Sequence, residues 1–283
     1  MSKLRDLEER VRVLGEIEGI MGAMKNLALM ESMKLSRVLA AQHRVVENIE
    51  TAGKDFLCCY PELTPSFSGK GLHLVVGTER GFCGDFNDRV LSALERHLDR
   101  AEDRDPVLVL VGRKLIELSE RTYRISAVVE GPTVAEEVQS VLIRVIDQIR
   151  ATSARHGLGS RTPVTVVYHD AVSDAVVVRP LRPFEPSGMG GTTSVVAPLL
   201  TLPPSAFFDQ LVDLYLFSLL HAMFYSALMA ECRARLAHLE SAQHRLAENR
   251  DDLIRRRKVM RQEEITEEIE VLMLSADDAT LLQ

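Results

Sequence analysis

The sequence contains no Trp, and aromatic residues make up only 5% of it. Such a chain is poor in the rings that build an aromatic binding surface, and its composition suits a helical rod. Basic charge is also short. The net charge of −7 argues against overall attraction to nucleic acid, so no nucleic-acid partner is expected. The basic run Arg255-Arg256-Arg257-Lys258 is followed closely by Glu263, Glu264, Glu267, Glu268 and Glu270, and reads as a solvated helix face. Of the four cysteines, Cys58, Cys59, Cys83 and Cys232, no two form a CxxC pair. Adjacent Cys58 and Cys59 suit neither a disulfide nor a metal clamp, and reduced thiols in a cytosolic protein are expected. The segment beginning Met1-Ser2-Lys3 has no apolar core, so no secretory signal is expected.

Punctuation is missing at both ends. Residues 1–57 contain no Pro, and nothing after Pro204 is Pro or Gly. The C-terminal segment therefore reads as one helix of roughly seventy residues, about 100 Å long at 1.5 Å per residue. A helix of that length cannot bury itself in a compact domain of its own, so it must be a coiled coil, a shaft or a span. Leu211 to Met229 is long and apolar enough for a bilayer. It holds Asp213 and His221, and its hydrophobicity continues as a stripe, so a helix buried by protein is expected rather than a membrane span. The stripe runs Cys232, Leu236, Leu239, Gln243, Leu246, Arg250, Leu253, Arg257, Met260 in steps of four and three, and Ile265, Ile269 and Leu272 continue it. At the other end, Leu4, Leu7, Val11, Leu14, Ile17, Met21, Met24 and Ala28 step the same way. The expectation is an antiparallel coiled coil of the two ends.

Between them lies a different pattern. Leu72–Val76, Val107–Val111, Arg124–Val129 and Val164–Tyr168 read as strands, with Val176–Arg179 as a possible fifth. Helices are expected near 88–100, 115 and 133–155, the last opened by a Thr133/Glu136 capping box. Alternating strands and helices imply a mainly parallel sheet. The fold class is thus α/β: a long antiparallel coiled coil of the N- and C-terminal helices with an inserted Rossmann-like domain. The domain boundaries are 1–57, 58–203 and 204–283, and the prolines and glycines from Pro180 to Gly191 form an irregular connection.

Chemistry is also scarce. Gly77-Thr78-Glu79-Arg80-Gly81-Phe82-Cys83-Gly84 stands where a doubly wound fold would hold a phosphate. It is neither GxGxxG nor a P-loop, and Glu79 and Asp85 would repel a phosphate, so a structural turn is expected. Cys83 has no evident His partner for nucleophilic work. The eight His show no metal-ligand spacing. No catalytic residue, metal or cofactor is read.

Four segments carry a resemblance. Arg261-Gln262-Glu263-Glu264-Ile265-Thr266-Glu267-Glu268-Ile269 is similar to Arg-Gln-x-x-Ile-Thr-x-Glu-Leu. Glu231-Cys232-Arg233-Ala234-Arg235 is similar to Glu-x-x-Ala-Arg, at the matching distance before it. Gly77 to Asn87 resembles the loop Ser-Thr/Asp-Arg-Gly-Leu-Cys-Gly-Gly-x-Asn, and Ile20 to Lys25 resembles Ile-Thr-Lys-Ala-Met-Lys. All four patterns are those of the γ subunit of F-type rotary ATP synthases and follow one another along this chain as they do in that family, which the chain resembles over nearly its whole length. Met21, Gly22, Asp85, Glu240 and the Ser275–Ala279 ending depart from the pattern and point to a divergent branch, such as an alternative sodium- or proton-pumping complex.

The resemblance implies a rotor shaft coupling ion flow to ATP synthesis or hydrolysis. Its partners would be the α and β subunits of a catalytic ring, an ε subunit and a membrane ring of c subunits. Catalysis would belong to β, and the location would be the cytoplasmic face of a bacterial membrane. Arg261, Gln262, Thr266 and, further down, Arg235 would contact the ring; Met24 and Lys25 would lie near the β-subunit levers. Two other readings stand beside it: a nucleotide-binding α/β enzyme, and a coiled-coil adaptor with a non-catalytic α/β domain. ATP binding by the isolated chain would favour the enzyme, and co-purification with α and β subunits separates shaft from adaptor.

Overall fold

A computed structural model describes residues 3–64, 70–120, 122–158, 162–184 and 198–280. Helix α1 (Lys3–Cys59) leads into β1 (Leu72–Val76), α2 (Phe86–Ala101), β2 (Val107–Val111) and α3 (Arg113–Ser119). Then follow β3 (Ala127–Val129), α4 (Val138–Arg155), β4 (Val164–Asp170), β5 (Ala175–Pro180) and α5 (Pro204–Thr280). The chain divides into two compact units, Ala28–Leu236 and a second made of Met1–Leu27 with Ala237–Gln283, so α1 and α5 each contribute to both. Most of the irregular connection expected after Pro180 lies outside the described residues, as do the side chains of Leu272 and Ser275–Ala279.

In the Ala28–Leu236 unit the sheet order is β3-β2-β1-β4-β5. All neighbours are parallel except β5, which runs antiparallel to β4. Every residue of β1 and β2 is buried. That is why β2 reads as an unbroken apolar run and β1 as one broken only by His73: a parallel sheet is covered on its two faces. Strand β3 begins at Ala127, three residues later than its sequence suggests, because Tyr123 N donates back to Ser119 O at 3.0 Å and keeps the chain in a turn. The order reverses between β1 and β4, which sets the sheet's switch point.

Helix α4 also starts late. Val134 is extended (φ −142°, ψ 161°), and a short 3-10 turn at Ala135–Glu137 precedes the helix. The extra residue shifts the expected capping box by one. Glu137 accepts from Thr133 N at 2.7 Å and from its hydroxyl at 2.9 Å, while Glu136 instead pairs with Lys34 of α1.

One contiguous core joins Leu35, Leu39, Val46 and Phe56 of α1 to the sheet and to α5. From Leu219 to Cys232 nearly every α5 side chain is buried, including Ser226. Phe56 stacks against Phe208 and tilts on Phe207, and Gln42 donates to Ser218 O at 3.0 Å, fixing α1 against α5. Helix α5 holds a stretch long and apolar enough to cross a membrane, and 61% of that window is buried inside the protein. Its all-round hydrophobicity answers to this core.

In the other unit the two helices run antiparallel. Glu18 pairs with Arg250, Gly22 lies beside Gln243, and Lys25 Nζ stands 2.8 Å from Glu240. Leu239, Gln243, Leu246, Arg250, Leu253, Arg257 and Met260 are the less exposed positions along α5, as their spacing suggests. On α1 the inner position after Leu14 falls to Glu18 rather than Ile17, which is 39% exposed. The step from Leu14 to Glu18 to Met21 keeps the seam, and Arg250 compensates the carboxylate. Ile265 and Ile269, read as a continuation of the seam, are 47% and 51% exposed.

Candidate functional site: the crevice at the strand ends

A doubly wound sheet offers its ligand crevice beyond the carboxyl ends of its strands at the switch point. Here the loop after β1 enters that crevice. Gly77 has no room for a side chain, since a Cβ would sit 2.5 Å from Leu115 Cβ and 2.7 Å from Asn87 Oδ1. Asn87, at the start of α2, accepts from Thr78 N at 3.0 Å and donates to its hydroxyl at 2.9 Å, pinning the loop.

Glu79 is the hub of the strand ends. Its side chain is 4% exposed and pairs with Arg113. The carboxylate accepts from Arg113 N at 2.9 Å, Arg113 Nε at 3.0 Å and Gly131 N at 2.8 Å. It thereby ties together the loops that follow β1, β2 and β3. Of the backbone donors at the start of α3 that could greet a phosphate, Arg113 N is thus satisfied by an internal carboxylate and Lys114 N by Thr78 O at 3.0 Å. Gly112 sits at φ +105°, a conformation that side chains avoid.

The far side of the crevice is filled by α5. Glu231 and Arg235, one helical turn apart, form an ion pair with side chains 5% and 7% exposed. Arg80 N donates to Glu231 at 3.5 Å, and Arg235 Nε donates to Gly81 O at 3.3 Å. Ser226 enters from the same helix on the β4 side, donating to Asp170 at 2.6 Å. Burial pushes the Glu231 carboxyl up to about 7, with Arg235 pulling it partly back. In the folded chain this carboxyl therefore keeps its proton at pH values where a free one, at 4.5, has lost it. Its contribution to stability is full below about pH 4.5 and is lost as pH rises through about 7. We expect Glu231→Gln to flatten the pH dependence of unfolding across that window, as read from denaturant midpoints; an unchanged slope would count against this account.

The two thiols here are inert. Burial, reinforced by Glu231, pushes Cys83 and Cys232 up to about 12. Cys83 Sγ lies 3.4 Å from Gly81 O, as a weak donor rather than a nucleophile. Cys58 is exposed and Cys59 half-buried. At the tip of the loop, Phe82 has φ +65° and is 54% exposed, a strained apolar side chain that the anchored residues around it hold in place. Among the described residues no group of His, Cys, Asp or Glu could hold a metal ion.

The residues singled out in the sequence do not converge. Arg235 lies in this crevice, with its guanidinium engaged inside the chain. Met24 and Lys25 are half-buried in the other unit, where Lys25 meets Glu240; the departure at position 240 thus supplies a counter-charge. Arg261, Gln262 and Thr266 are exposed on α5, and the Thr266 hydroxyl donates to Gln262 O at 2.9 Å. Sequence reasoning gave no role to Gly112 or Ser226, met Glu79 only as a carboxylate that would repel a phosphate, and met Glu231 only as the first residue of a motif. A signal existed for Glu231: it breaks a long uncharged stretch and has Arg at i+4.

In the Ala28–Leu236 unit, α5 of the same chain occupies the crevice where a doubly wound sheet would take a ligand, which defines a structural use of the fold. Residues 3–277 match the family model described as ATP synthase. The chain is 29% identical to the ATP synthase gamma chain of Mycolicibacterium smegmatis, over 97% of each. It is 24% identical to that of Ruminococcus albus, over 98% of this chain and 99% of the relative. Among solved structures it resembles a chain of the mitochondrial ATP synthase rotor of Euglena gracilis, with TM-score 0.57 and 16% identity, over 93% of this chain and 98% of that one. A chain of the Tetrahymena thermophila central stalk and c-ring structure gives TM-score 0.52 at 16% identity, over 79% of this chain and 99% of that one. The chain belongs to the ATP synthase family, as a gamma-type member with the central-stalk fold.

Proposed function

We propose that this chain is the rotor shaft of an F-type ATP synthase, turning inside a ring of α and β subunits and linked to the ε subunit and the membrane c-ring. One observation supports it above others. Along α5 the half-buried positions step through Leu253, Arg257, Met260 and Glu264, and then stop. Ile265, Ile269, Val271 and Met273 are 47–65% exposed on a single helix, whereas Arg250, earlier on α5, still pairs with Glu18 of α1. So much exposed apolar surface calls for a protein sleeve, and Arg261, Gln262 and Thr266 beside it supply hydrogen-bonding groups.

In this reading Arg261, Gln262 and Thr266 contact the inner surface of the ring, and Met24 and Lys25 lie near the β-subunit levers. Arg235, engaged within the chain, acts through the loop it holds. The shaft is a coiled coil of unequal faces, so each angle of rotation gives each β subunit different contacts and shifts its open and closed populations. The ion is a proton or sodium, carried by other subunits, and the complex sits at the cytoplasmic face of a bacterial membrane.

Co-purification with α and β subunits is the direct test; a chain that never joins them fails this reading. Within the assembled complex, Arg261→Ala with Gln262→Ala is expected to weaken the coupling of ATP hydrolysis to ion pumping. Unchanged coupling would remove these residues from the contact.

A further inference from the structure

The contacts between α5 and the strand ends are of two kinds. The apolar packing from Leu219 to Cys232 is non-directional and resists separation more than turning. Hydrogen bonds to fixed backbone atoms have direction, and they resist rotation of a helix about its axis.

The turn between β4 and β5 makes the second kind. Ser226 Oγ donates to Asp170 Oδ1 at 2.6 Å and accepts from Ala171 N at 2.8 Å. Arg233 Nη1 donates to Ala171 O at 2.7 Å. Ser226 and Arg233 are seven residues apart, two helical turns, so they present one face of α5 to one turn. The turn is itself stiffened. The other Asp170 oxygen accepts from Ser173 N at 2.9 Å and from its hydroxyl at 2.8 Å, and Asp174 takes the left-handed conformation at φ +51°. Glu231 grips the loop after β1 from a position about 140° further round the helix than Ser226, at 3.6 residues per turn.

We propose that the β4–β5 turn is a torsional key: Asp170, Ser226 and Arg233 carry rotational load between α5 and the α/β domain. They are positioning residues, and the inference rests on the shaft reading above. Two grips on different faces of one helix resist its rotation under load more than either alone.

The test uses the whole reconstituted complex carrying Ser226→Ala with Arg233→Gln. Two quantities are read: ATP hydrolysis by the uncoupled complex in detergent, where the rotor turns without load, and ATP-driven ion pumping into vesicles against a growing gradient. The unloaded rate is expected to stay near that of the unmodified complex, while the limiting gradient falls by about fivefold, because the joint slips only under load. Arg233→Lys, which keeps a donor on Ala171 O, should restore most of the gradient. Hydrolysis and pumping that fall in constant proportion at every gradient would mean simple destabilisation and overturn the key, as would an unchanged limiting gradient. Failure of the unmodified chain to assemble or to support pumping would instead sink the shaft reading, so the two failures are distinguishable.

Discussion

Arg235→Leu is expected to destabilise the folded chain by about 3–5 kcal/mol, the cost of leaving a buried carboxylate without its partner. Glu231 is 4% exposed, and its neighbours are backbone atoms and two thiols that cannot replace a guanidinium. The loss should be largest at alkaline pH, where the carboxyl is charged. It should be smaller near pH 5, where the carboxyl, raised to about 7, takes up a proton. Denaturant unfolding of the full chain at both pH values measures it. Adding Glu231→Leu should recover most of the loss, because a pair removed together leaves no orphan. A double variant no better than the single one would show that the ion pair is not what holds α5 in the crevice.

Gly112→Ala is expected to cost about 3 kcal/mol, from a strained conformation combined with overpacking. The residue lies at φ +105°, and a Cβ there would stand 2.8 Å from the carbonyl oxygens of Gly77 and Thr78. Those atoms are backbone and cannot step aside without moving β1. Gly131→Ala is the matched control. Its Cβ would meet Gly112 Cα at 3.3 Å and Glu79 Cβ at 3.4 Å, with no unusual φ, so small shifts absorb it. Equal melting temperatures for the two variants would mean that the strand ends are softer than their geometry implies.

Both variants probe features that the sequence expressed unevenly. Strands β1 and β2 were legible to the residue, because a parallel strand buried on both faces needs a nearly continuous apolar run. The long helices were legible for the opposite reason: no Pro interrupts either of them, and α5 carries no Gly. The inner position at Glu18 was not, since an apolar Ile stands next to it and only Arg250, far along the chain, makes the carboxylate tolerable. The Thr133 cap moved from Glu136 to Glu137 because Val134 is extended, a backbone detail that spacing does not carry.

The crevice was half legible. The loop from Gly77 to Gly84 stood out by its place after a strand, and its carboxylates argued against a phosphate. What fills the crevice instead comes from α5, about 150 residues away, and no local pattern links Arg80 to Glu231. The resemblance marked Arg235 for its motif. The structure adds that its guanidinium is engaged inside the chain, whereas Arg261 and Gln262 stay exposed.

The contrast among the thiols has a practical consequence. Cys83 and Cys232 are buried, and deprotonation is pushed out of the reach of ordinary buffers, whereas Cys58 is exposed and Cys59 stands beside it at the end of α1. Maleimide reagents, which need thiolate, will therefore mark the unmodified protein at a single locus. A bead or fluorophore attached there requires no engineered cysteine. Replacing that one dipeptide gives a background silent to labelling, on which a probe can be placed anywhere along the shaft.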